Sequence, residues 1–120
     1  MQKQITSPLQ VKSHAIACKV LNKDPKKSTS VHDQQDDIAN AINKLDKFKP
    51  SWKKTDQQKW TPYFVADASG FRFRHSFCAF SLSSSLVGSR LCFRFRNEEI
   101  SDFFGKQHIA LHKKAYNKSK

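Results

Sequence analysis

The tetrapeptide Phe-Arg-Phe-Arg occurs twice, at Phe71–Arg74 and at Phe93–Arg96. A guanidinium is a permanent cation whose planar fork of N–H donors matches the oxygens of a phosphate or carboxylate. Alternating it with phenylalanine suits a strand, where successive side chains point to opposite faces. On that reading Phe71, Phe73, Phe77 and Ala79 share one face, and Arg72, Arg74, Ser76 and Cys78 the other. In a return strand Val87, Leu91, Phe93 and Phe95 lie opposite Arg90, Cys92, Arg94 and Arg96. Pairing the two strands lines five arginines along one surface. Like charges facing each other across a sheet repel, so such a face is best accommodated where water or phosphate oxygens neutralise it, and the excess of arginine over acid on those positions favours a polyanion. The expected phosphate contacts are Arg72, Arg74, Arg90, Arg94 and Arg96, joined by Lys113 and Lys114 near the end of the chain.

Other reactive side chains give less. Cys78, Cys92, His108 and His112 are four conceivable zinc ligands, but no Cys-x-x-Cys is present. In extended chain His108 and His112 stand four residues of ~3.3 Å apart, too far to chelate one ion. Cys78 with His75 nearby lacks a third group to make a nucleophile. Asp36 and Asp37 are adjacent and diverge on a helix, and Glu98 and Glu99 sit at an element junction. No metal, no cofactor and no enzymatic activity are expected. Trp52 and Trp60, flanked by Lys53, Lys54 and Lys59, could instead stack on bases of a single-stranded nucleic acid.

Composition sets the class of partner. Twenty-two Lys and Arg against ten Asp and Glu leave a net charge of +12, which favours a polyanion. Residues 1–48 hold eight Lys and five Asp, net +3, whereas residues 49–120 hold fourteen Lys and Arg and five acids, net +9. Three cysteines without close spacing do not make a disulfide framework. No apolar run opens the chain, and none approaches the ~20 residues that span a bilayer. A reduced, cytoplasmic protein is expected, with no membrane partner.

These groups need elements to carry them. Ser13–Leu21 reads as a strand, and the polar stretch after it, with Pro25, as a linker. Over residues 31–48 the apolar spacing of Ile38, Ile42 and Leu45 predicts an amphipathic helix, about 33–48, ended by Pro50. It could serve as a docking surface for a protein partner. From Trp60 the period becomes two. The tail is ambiguous: acids early and lysines late suit a helix along its dipole, while Gly105-Lys106 could be a turn between two strands.

The ordered series Phe80-Ser81-Leu82, Leu86-Val87-Gly88, Phe93-Arg94-Phe95, Ile100–Phe104 and Ile109-Ala110-Leu111-His112 resembles the Mu-transposase-like C-terminal domain of IstA-type insertion-sequence transposases. The likeness covers roughly residues 58–118, with Ser83 in place of a proline and Asp102 in place of an aliphatic core residue. It implies a mainly β fold: a small twisted antiparallel β-barrel at 58–118 behind an N-terminal extension, 1–57, bearing one helix. Glu99–Phe104 and Gln107–His112 are then strands around Gly105-Lys106. The implied role is a non-catalytic, truncated or relic DNA-binding domain that holds the backbone of double-stranded DNA largely without sequence specificity. The implied partners are a full-length transposase or its helper ATPase.

Overall fold

The computed structural model describes residues 5–51, 53–54, 56–79 and 93–118. Four helices and one hairpin make up the regular structure of these residues: α1 (His14–Leu21), α2 (Val31–Asp46), β1 (Lys59–Asp67), β2 (Gly70–Ala79), α3 (Glu98–Gln107) and α4 (Ile109–Lys118). Single 3₁₀ turns at Pro8–Gln10 and Pro25–Lys27 precede α1 and α2.

Helix α2 is the axis of the molecule. Ser30 caps it by accepting from the Asp33 N–H at 3.0 Å. Its apolar stripe buries Ile38, Ala39, Ala41 and Ile42, and Gln35, Asp37 and Asn43 are buried beside them. A helix buried on so much of its surface must have partners on several sides. These are α1, α4 and the first 3₁₀ turn. One core joins Val11, Ala17, Ile38, Ile42, Phe95, Ile100 and Phe104. Its members come from both sides of residue 57, so the packing is not divided where the extension was expected to end.

The described residues do not form the expected β-barrel. The sheet of the described residues is an open pair, β1 antiparallel to β2, and helix outweighs strand, 52% to 19%. Ser13–Leu21 is not a strand but α1: the Ser13 hydroxyl accepts from Ile16 N–H, and Asn22 closes the helix in the left-handed region at φ 55°. Ala15, Ala17 and the hydroxyl cap decide this, since both are strong helix signals. The polar stretch after it is folded too, with Asp24 capping the second 3₁₀ turn and Ser28 buried.

The two strands expected at Glu99–Phe104 and Gln107–His112 are α3 and α4. Asn97 caps α3 by accepting from Ile100 N–H at 2.9 Å. Ile100, Phe104, His108, His112 and Ala115 are buried at a spacing of three or four, the helical period. Gly105 is not a turn. It lies within α3, where a Cβ would stand 2.6 Å from the Phe73 ring and 2.9 Å from Pro62. Its missing side chain lets the hairpin lie against the helix. Asp102, half-buried, accepts from the Ser76 hydroxyl at 2.6 Å. The stretch from Phe80 to Cys92, and with it Arg90, lies outside the described residues.

Candidate nucleic-acid interface

The expected arginine face does not form. Pairing runs Tyr63↔His75 and then Phe64↔Phe73, so Arg74 has no opposite residue and the side-chain alternation of β2 flips there. Phe71 and Phe73 share a face with Phe64 and turn toward the helices, where Phe71 meets Tyr116 and Phe64 meets His112. Ser76 takes that face in place of Phe77, which instead meets Tyr63 edge-on and underlies Arg94. Arg72 and Arg74 are exposed, and Arg72 is paired at 2.9 Å with Asp67. Arg94 is fully buried, within reach of the Lys59 carbonyl and stacked over Phe77 at 5.4 Å. Burial lowers its pKa from the ordinary guanidinium value. Arg96 turns away to α2, donating to the Asp46 carboxylate at 2.9 Å and to the Asp46 carbonyl at 2.8 Å. Lys113 and Lys114 are exposed on α4. The seven expected contacts therefore comprise one buried side chain, one outside the described residues, and five exposed ones divided between β2, α4 and the segment before α3.

A basic surface that the Phe-Arg pattern did not point to lies at the C-terminal end of α2. Lys44, Lys47, Lys49, Lys53 and Lys54 are all exposed there, with Arg96 beside them. The carboxylates of the same stretch are Asp46, held by Arg96, and Asp56. Among the described residues, Lys47, Lys49, Lys53 and Lys54 make no ion pair.

The loop carrying these lysines is built, and its polar anchors explain how. Lys47 ends α2 in the left-handed conformation, φ 55°, and Phe48 N–H bonds back to the Asn43 carbonyl. The Gln57 amide then spans the loop. It donates to the Lys49 carbonyl at 3.0 Å and accepts from the Ser51 N–H at 2.9 Å. Lys59, fully buried at the start of β1, donates to the Lys54 carbonyl at 2.7 Å and the Gln57 carbonyl at 3.0 Å. Burial lowers the pKa of this ammonium, as it disfavours the charged form. From the other side the Arg96 guanidinium covers the Phe48 ring at 5.7 Å. Asn43 donates to the Arg94 carbonyl at 3.0 Å, and Trp60 exchanges two backbone hydrogen bonds with Phe95. These contacts pin the second Phe-Arg-Phe-Arg between α2 and β1. A cavity of about 500 Å³ opens beside the loop, lined by Asn40, Lys44, Lys47, Phe48 and Lys49 among others.

A second, aromatic cavity, about 490 Å³ between the hairpin and α4, has Phe64, Phe71, Phe104 and Tyr116 on its walls and no lysine or arginine. It is not part of the cationic surface. His108 and His112, two of the four conceivable zinc ligands, are engaged by other groups. His112 Nε2 donates to the Phe104 carbonyl at 2.9 Å and its Nδ1 accepts from Gln35 at 2.8 Å. Burial pushes its pKa down to about 4, so it is neutral near pH 7. His108 donates to the Val11 carbonyl at 2.8 Å, and burial lowers its pKa too.

No helix of the described residues is long and apolar enough to cross a membrane. No family model, curated protein or solved structure matches the chain.

Proposed function

We propose that this chain is a non-catalytic nucleic-acid-binding module that holds the phosphate backbone of double-stranded DNA through the lysines at the end of α2. The observation that carries the reading is the anchored loop: Lys47, Lys49, Lys53 and Lys54 project from backbone fixed by Gln57 and Lys59, and none of the four is engaged by a carboxylate among the described residues. Pre-positioned cations neutralise phosphates and release counterions, which gives salt-sensitive, sequence-tolerant affinity. The net charge of +12 adds long-range attraction of the same sign. Base stacking by the Phe-Arg rings is the weaker reading. Phe95 is fully buried, and Phe71, Phe73 and Phe93 are partly buried against other rings.

The interface is tested by binding to random-sequence duplex across a salt series. Lys49→Ala/Lys53→Ala/Lys54→Ala is expected to flatten the slope of log K against log salt by about 2.7 units if all three touch phosphate. Arg72→Ala/Arg74→Ala is expected to change it less, because Arg72 already has Asp67. A slope unchanged in the lysine triple variant removes the loop from the interface.

A further inference from the structure

A second cluster, between α1 and α2, plays no part in the nucleic-acid reading. His14 and Cys18 are one helical turn apart on α1 and share a face. Asp37 meets them from α2. His14 Nε2 is 2.8 Å from Asp37 Oδ2 and 3.3 Å from Cys18 Sγ, and one ligand atom from each residue falls within 4.8 Å of the other two. Lys23 Nζ contacts Asp37 Oδ1 at 2.8 Å, and the Ser28 hydroxyl donates to Oδ2. Burial alone would raise the Asp37 carboxyl, but the hydrogen bonds from Lys23, Ser28 and His14 outweigh it and hold the pKa below the ordinary carboxylate value.

Asp37 is satisfied by His14, Lys23 and Ser28 without the thiol. Cys18, 1% exposed, is the member that a hydrogen-bond network does not need. With ordinary bond lengths, a tetrahedral zinc places a nitrogen and a sulfur ligand about 3.5 Å apart, and a nitrogen and an oxygen ligand about 3.3 Å apart. The distances here differ from those by no more than about half an ångström. Nitrogen, thiolate and carboxylate together suit a borderline-soft ion rather than magnesium or calcium.

We propose that His14, Cys18 and Asp37 bind a divalent transition ion of the zinc class that clamps α1 to α2, and that Lys23 stands in for this cation when the metal is absent. The charges balance in both states. Without metal, the Asp37 carboxylate is matched by the Lys23 ammonium and Cys18 is a thiol. On binding, the thiol gives its proton to water and its sulfur bonds the ion. The His14 proton passes from Nε2 to Nδ1, freeing Nε2 as a ligand, and Lys23 swings into solvent. Its side chain is already 35% exposed, so that movement is open to it. Thiolate and carboxylate then match the two positive charges. The fourth position goes to the Ser28 hydroxyl, or to water from the cavity of about 480 Å³ that runs past Cys18, Lys23 and Asp24.

The test is a cobalt(II) titration of the full chain carrying Cys78→Ser and Cys92→Ser, so that Cys18 is its sole thiol. One equivalent should produce the near-ultraviolet sulfur-to-cobalt charge-transfer band with the visible bands of a four-coordinate ion, and zinc should displace it. Cys18→Ser should abolish the charge-transfer band, and Lys23→Met, which removes the positive charge that competes with the ion for Asp37, should tighten binding about tenfold. Calorimetry with zinc in buffers of different ionisation enthalpy should count about one proton released. The absence of a one-to-one cobalt complex would overturn the site. So would Lys23→Met affinity no tighter than that of the parent, a variant that leaves all three ligands in place and so does not depend on whether Cys18→Ser folds.

Discussion

The same four residues, Phe-Arg-Phe-Arg, take two structures in this molecule. At Phe71–Arg74 they run along β2, with partly buried rings and exposed guanidiniums. At Phe93–Arg96 they make a single bridge, Trp60↔Phe95, before Asn97 starts α3. There Phe95 and Arg94 are both fully buried, and Arg96 reaches sideways to α2. The first copy has a nine-residue strand to pair with. The second sits at the junction of β1, α2 and α3, where Arg94 and Phe95 are shut off from solvent, Phe93 is partly buried and Arg96 alone is exposed. Alternation describes which side chains can be separated, and the neighbours decide whether either side is water.

The two copies should therefore respond unequally to the same substitution. Phe95→Ala, at the centre of the core with its ring 5.0 Å from Phe104, should cost about 3–5 kcal/mol. Phe71→Ala, half-open at the hairpin, should cost about 1–2 kcal/mol in the same denaturant titration. Equal losses would erase the distinction.

The next effect is acid sensitivity, because both hairpin and helices close on His112. Its folded pKa of about 4 lies below the ordinary histidine value, so the unfolded chain binds the proton first. Stability contributed by the neutral ring is therefore complete above about pH 6.5 and is lost as pH falls toward 4, on the order of 3 kcal/mol in all. Asp37, lowered as well, adds its own loss at more acidic pH, below the ordinary carboxylate value. His112→Gln should be less stable at pH 7 but flatter between pH 6.5 and 4 by thermal melts; an unchanged slope would mean His112 is not the titrating group.

Smaller still is the arginine comparison. Arg94→Ala removes a buried stem and its hydrogen bonds, an expected loss of about 2–3 kcal/mol. Arg74→Ala, exposed on an unopposed strand position, should stay within about 0.5 kcal/mol. Neither should alter the salt slope of duplex binding as much as the loop lysines do. A large slope change for Arg94→Ala with unchanged stability would return that residue to the surface.

Several features were readable from residue order. The α2 stripe of Ile38 and Ile42, the acids opening it and the lysines closing it all mark a helix. Glu98 and Glu99 early and Lys113 and Lys114 late likewise suit a helix, whereas the likeness to a barrel domain implies two strands. The structure adds what decides it: five buried positions at helical spacing, preceded by the Asn97 cap. Ser13 before Ala15 and Ala17 likewise marks the start of α1, although the apolar content of the same stretch also fits a strand. The loop lysines were visible as a run, but nothing local revealed the Gln57 and Lys59 bonds that hold them, since those bonds depend on where β1 begins.

The chain's own composition determined the excess positive charge, the helix of residues 31–46, and the hairpin turn that needs Gly70 at φ 111°. These follow from side-chain charge, local period and backbone sterics, which act over a few residues. Tertiary packing alone decided that one arginine of a repeated motif is entombed while its twin stays wet, and that His14, Cys18 and Asp37 meet. Distances between residues far apart in sequence depend on how helices and hairpin fill one shared core, and no local spacing encodes that.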